Sequence, residues 1–107
     1  MDIKQLTQKA LEIRTKYSEH EKRKTGKEWS NLNLMEGLVG DIGDLMKLVM
    51  AKEGLREVKN IDEKLAHELA DCLWSILVLS EKYEIDIEQN FLKTMDELEK
   101  RLKKQNI

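Results

Sequence analysis

Apolar side chains recur along this chain at steps of three and four, the period of a helix rather than of a strand. Ile3, Leu6, Ala10, Ile13 and Tyr17 make one narrow stripe, which predicts a first helix that packs against a single neighbour. From Ser18 to Lys27 the chain turns polar and charged and includes Gly26, so a helix end followed by a loop, or a solvated extension, is expected there. A second helix is predicted from about Asn33, where Asn33 and Glu36 have the spacing of a capping box, to Gly54, a residue suited to the left-handed position after a helix. Asn60 with Glu63 opens a third helix that runs to about Tyr83. Asp86 with Gln89 opens a fourth, carrying Phe91, Met95, Leu98 and Leu102. Four helices with short connections predict an all-α, four-helix bundle-type protomer. No repeat, low-complexity tract or long linker divides the chain, so residues 1–107 are read as a single domain.

The third helix changes this picture. Nine of the eleven residues from Leu69 to Leu79 are apolar, and Trp74 and Val78 spread the apolar surface beyond one stripe. A helix apolar nearly all round must be buried nearly all round. Four modest helices, two with narrow stripes, offer too little surface for that. The core is therefore expected to be completed by oligomerisation, in a homodimer or a homotetramer, with helices packed across a two-fold axis.

Composition narrows the function. The 107 residues include 19 basic and 21 acidic side chains, a net charge of −2 and no proline. That balance lacks the electrostatic footprint of a nucleic-acid polymer binder. The apolar run is too short to cross a membrane, and the first residues carry no secretory apolar segment. A lone cysteine, Cys72, fits a reducing cytoplasmic setting and reads as a small buried hydrophobe. His20 and His67 have no partner at ligand spacing and are read as structural or exposed.

Chemistry enters where carboxylates interrupt apolar surface. On the second helix Leu34, Met35, Leu38, Val39, Ile42, Leu45, Met46, Leu48 and Val49 occupy one broad arc, Asp41 falls inside it between Leu34 and Leu48, and Asp44 lies just off its edge one turn on. Glu68 and Asp71 repeat the i, i+3 spacing on the third helix, and Asp71 is the one charged residue between Leu69 and Ser80. Carboxylates set together in apolar surroundings need cations or protons. Magnesium is a hard ion held by carboxylates together with substrate phosphates, and it suits this pattern. Pairing with Lys47, Lys64 or Lys82 is the alternative. Gly37, Gly40 and Gly43 add a cost to the second helix that close approach of another helix, or of a ligand, would offset.

The run Leu38-Val39-Gly40-Asp41-Ile42-Gly43-Asp44-Leu45, then Glu68-Leu69-Ala70-Asp71-Cys72-Leu73-Trp74, then Ile85-Asp86-Ile87, resembles the MazG-like all-α nucleoside triphosphate pyrophosphohydrolases, relatives of the dimeric dUTPases and dCTP pyrophosphatases. The signature of that family is a Glu-x-x-Glu pair on one helix and a Glu-x-x-Asp pair on the next. The resemblance extends from Trp29 to Arg101. It implies that Asp41, Asp44, Glu68 and Asp71 hold magnesium, with manganese as an alternative. It also implies cleavage of a nucleoside triphosphate between its α and β phosphates, to monophosphate and pyrophosphate.

Lys47, Lys64 and Lys82 are then candidate phosphate contacts, with Lys93 beside the position where relatives carry a lysine on the last helix. Trp29 stands where relatives of the dCTP pyrophosphatase type carry a tryptophan near the base, and Trp74 is expected in the core or at a subunit interface. Two departures stand out. The first acidic pair is Asp-x-x-Asp, which draws each carboxylate back by a methylene, and Thr94 and Leu98 occupy the positions of the family's lysine and asparagine. These departures leave a second reading open, a catalytically degenerate bundle that binds a nucleotide or a protein partner.

Overall fold

Each of the four predicted helices forms, and the described residues, 1–105 of the computed structural model, contain no strand. Helix α1 spans Ile3–Thr25, α2 Asn31–Lys52, α3 Ile61–Lys82 and α4 Ile87–Lys104. The chain has an all-α, four-helix fold.

The ends differ from expectation for identifiable reasons. The polar segment after Tyr17 is helical, and α1 continues to Thr25. Its last turn carries Lys22, Arg23 and Lys24, which favour the negative end of a helix dipole, and Gly26 closes it in the left-handed conformation at φ 77°. Helix α2 starts two residues early. The Ser30 hydroxyl accepts from the Asn33 N–H while the Asn33 side chain accepts from the Ser30 N–H, so a reciprocal cap upstream of Asn33–Glu36 meets the free N–H groups first. Asn60 does precede α3, but in a left-handed conformation with no side-chain cap, so the capping box expected with Glu63 is absent. Asp86 caps α4 as expected, accepting from the Gln89 N–H.

Helix α3 is the central element, with α2 paired along one side and α1 laid on another. Ala10, Leu34, Leu77 and Val78 are buried at the heart of this three-helix contact, and Leu6, Trp74 and Ile87 pack around them. The Trp74 indole N–H donates to the Ala10 carbonyl at 3.0 Å, and its ring lies 5.9 Å from that of Tyr17, which ties α3 to α1. Cys72 is buried and unpaired in a disulfide.

The fourth helix leaves this core. Beyond Glu88 every described residue of α4 is exposed, including Phe91, Met95, Leu98 and Leu102. The radius of gyration is 17.1 Å, against about 13 Å for a compact domain of this length. No helix among the described residues is long and apolar enough to cross a membrane.

Helical phase divides the α2–α3 hairpin into two sides. At about 100° per residue, Asp41 and Asp44 fall on one flank of the α2 contact ridge, while Met35, Val39, Ile42, Met46 and Val49 fall on the other. The same division on α3 puts Glu68 and Asp71 with the acids and Leu69, Leu73 and Ile76 with the exposed apolar residues. The single broad arc expected on α2 therefore divides: Leu34 and Leu38 are buried against the neighbouring helices, whereas Val39 is 58% and Met46 60% exposed.

Candidate active site

The acidic flank is built by register. In α2, Asp41 and Asp44 are one turn apart, and α3 brings Glu68 across to them. One carboxylate oxygen from each of Asp41, Asp44 and Glu68 lies within 4.8 Å of the other two. Asp41 and Glu68 are half-buried and Asp44 is exposed. The Glu68 Oε1 atom is buried without a hydrogen-bond partner. Burial pushes the Glu68 carboxyl above the usual carboxylate range, and the negative charge of Asp41, then of Asp71 and Asp44, adds to the rise. Among the described residues none of these three carboxylates forms an ion pair with a lysine or arginine, so pairing with Lys47, Lys64 or Lys82 is not what holds them together.

Such a group fits a divalent cation. Three oxygen donors converge, Glu68 also carries a buried oxygen without a partner, and none of the three carboxylates is ion-paired with a lysine or arginine among the described residues. Asp71 stands apart from the triad. It flanks the group closely enough to raise the Glu68 carboxyl, but its own Oδ2 faces the His67 Nε2 at 3.3 Å. His67 is exposed as expected, yet it has a partner, and the i, i+4 spacing of His67 and Asp71 on one helix was the sign of it.

At the N-terminal end of this flank the Trp29 ring lies over Gly37. A Cβ at Gly37 would sit 3.1 Å from Trp29 Cζ3, so this glycine makes room for the indole. Gly37 is one turn before Asp41, which sets Trp29 next to the acids. The backbone of Trp29 is fixed from α1, because its N–H donates to the Glu21 carboxylate at 2.8 Å, and Glu21 also accepts from the buried Arg14 guanidinium. Burial alone would raise the Glu21 carboxyl, but the hydrogen bonds from Arg14 and from the Trp29 N–H hold it below its ordinary value. Gly40 and Gly43 have open space where a Cβ would stand.

A family model described as the MazG nucleotide pyrophosphohydrolase domain matches residues 30–105. The chain belongs to the MazG nucleotide pyrophosphohydrolase family. No curated protein and no solved structure matches it.

Within the MazG domain, a cleft of about 660 Å³ opens at the C-terminal end of the acidic flank, with Asp44 and Glu68 on its wall and Lys47, Lys64 and His67 around it. Two of the expected phosphate contacts, Lys47 and Lys64, are therefore beside the acids. The other two are elsewhere in this protomer. Lys82 ends α3, 14 residues and so about 21 Å along the axis from Glu68, and Lys93 lies on the outlying α4. Arg56, from the α2–α3 connection, also lines the cleft. Sequence reading missed it because loop residues have no helical phase from which to place them.

Proposed function

We propose that this MazG-family chain is a magnesium-dependent nucleoside triphosphate pyrophosphohydrolase, with manganese as an alternative ion, cleaving between the α and β phosphates. The observation that carries the reading is the Asp41, Asp44, Glu68 triad with its orphaned Glu68 Oε1, set between an aromatic ring and a cleft that Lys47, Arg56 and Lys64 line. Asp41, Asp44 and Glu68 would hold the cation, with Asp71 flanking them. When bound, the cation supplies positive charge against the triphosphate and lowers the pKa of water.

The chain's own groups do the rest. Trp29 offers a flat surface on which a base stacks. Asp41 or Asp44 orients the attacking water and takes its proton. The water oxygen bonds to the α-phosphorus, the bond from that phosphorus to the bridging oxygen breaks, and its electron pair leaves with pyrophosphate. The shorter aspartates are compatible with this role because α2 and α3 already bring their oxygens within reach of Glu68.

The working form is a homo-oligomer, dimer or tetramer. Its support is the apolar side of the hairpin, where Val39, Ile42, Met46, Leu73 and Ile76 are exposed, together with the uncovered stripe of α4. Apolar patches of this extent mark interfaces. That side is opposite the acids, so a partner seated on it leaves the site open.

The test is pyrophosphate release from a panel of ribo- and deoxynucleoside triphosphates with magnesium, manganese or a chelator. Release that needs metal supports the reading. Silence across the panel, with nucleotide still raising the melting temperature, would replace it with the degenerate binder.

A further inference from the structure

Three cations, Lys47, Arg56 and Lys64, line the cleft at the C-terminal end of the acidic flank, and none forms an ion pair among the described residues. The contrast with their neighbour is informative, since Lys52, on the last turn of α2, is taken by Asp62. Asp44, Glu63 and Glu68 share the cleft lining with these cations, yet none of the three is ion-paired with them among the described residues. Unpaired positive and negative groups side by side in one cleft suit a ligand that brings both charges, an anion carrying its own divalent cation.

The order of groups along α2 gives this ligand a direction. Trp29 over Gly37 comes first, then Asp41 and Asp44, then Lys47 with the Arg56 connection. From Gly37 to Lys47 is ten residues, about 15 Å along the axis. Aromatic surface, carboxylates and cations thus follow one another in the sequence in which a nucleotide presents base, α-phosphate and distal phosphates.

We infer that Arg56 of the α2–α3 connection, with Lys47 and Lys64, holds the distal phosphates, so that the nucleotide lies along α2 with its tail toward the connection and pyrophosphate departs through this cleft. This rests on the pyrophosphohydrolase reading. Arg56 is the decisive member, because its planar fork of donors grips two phosphate oxygens at once, whereas a lysine offers a point charge. It sits on an exposed connection, so replacing it leaves the helical core intact.

The experiment is calorimetric binding of inorganic pyrophosphate and of a nucleoside monophosphate, each with magnesium, to the wild-type protein, Arg56→Ala and Arg56→Lys. Arg56→Ala is expected to weaken pyrophosphate binding about tenfold or more and to leave the monophosphate within about twofold, with Arg56→Lys recovering part of the loss. A loss shared equally by both ligands, an unchanged pyrophosphate affinity in Arg56→Ala, or no pyrophosphate binding by the wild type would overturn the assignment. Turnover is read separately. Absent hydrolysis with the differential binding intact defeats the pyrophosphohydrolase reading alone, while normal hydrolysis with unchanged pyrophosphate affinity defeats the Arg56 assignment alone.

Discussion

Glu68→Gln removes one charge from the triad while keeping the shape of the side chain, and the account requires it to stabilise the metal-free protein. One carboxylate oxygen from each of Asp41, Asp44 and Glu68 lies within 4.8 Å of the other two. At that separation a pair of unit charges repels by about 1 kcal/mol in water-like surroundings and about 3.5 kcal/mol at an effective dielectric near 20. Asp44 is exposed and the other two half-buried, so the lower figure governs. Glu68 takes part in two such pairs, and the variant should gain about 1–2 kcal/mol, or about 4–8 °C in melting temperature for each kcal/mol. The sign with pH follows from the raised Glu68 carboxyl. Its folded-state pKa lies above the unfolded value, so the native state binds the proton more tightly and wild-type stability falls as pH rises through the two values. The advantage of Glu68→Gln should therefore be small in acid and open above the ordinary carboxylate range. Magnesium should reverse the order, because wild type gains about 2.7 kcal/mol at a hundredfold excess over its dissociation constant and the variant gains less. Calorimetric melting with chelator and with magnesium, from acid to pH 8, measures all of this. A metal-free variant less stable than wild type at pH 8, or an undiminished response to magnesium, would refute the reasoning.

Other outcomes follow from the same geometry. Met46→Lys or Val39→Lys on the apolar side of the hairpin should shift the protein toward monomer in sedimentation velocity, whereas Lys93→Ala should not. Gly37→Ala brings a Cβ to 3.1 Å from Trp29, so the helical gain of about 1 kcal/mol is offset by displacement of the indole, and nucleotide should quench tryptophan fluorescence less in this variant. Arg14→Met leaves Glu21 without its main partner and should cost on the order of 2 kcal/mol in denaturant melts. Because the Glu21 carboxyl is held below its ordinary value, its stabilisation is present at neutral pH and is lost as pH falls through the folded-state value, and Arg14→Met should flatten that acid limb.

Much of this architecture was legible in the chain because helical phase carries it. The stripes of α1 and α4, the stop at Gly54 and the cap at Asp86 are all local features. The polar segment after Tyr17 is compatible with a loop or with a solvated extension of α1, and it is the extension that forms, ended by the basic last turn and Gly26. Asp41, Asp44 and Glu68 could be brought together on paper because each breaks an apolar arc, and helices that share a core must bring such breaks to the same flank. Asp71 has the same phase but looks toward His67, a choice set by side-chain rotamer rather than by register. The Glu21 link to Arg14 and Trp29 spans the α1–α2 connection, and Arg56 sits on the next one, where no periodicity reaches. The outward course of α4 was hidden for another reason. Its stripe says that something covers it, but not whether that cover belongs to the same chain.

The most direct test of the central claim is product analysis in ¹⁸O-labelled water, with the best substrate of the panel and magnesium, comparing wild type with Glu68→Gln. The account predicts equal amounts of nucleoside monophosphate and pyrophosphate, the label in the monophosphate, and loss of both products in the variant. Release of orthophosphate with a diphosphate product, or undiminished turnover by Glu68→Gln, would contradict it.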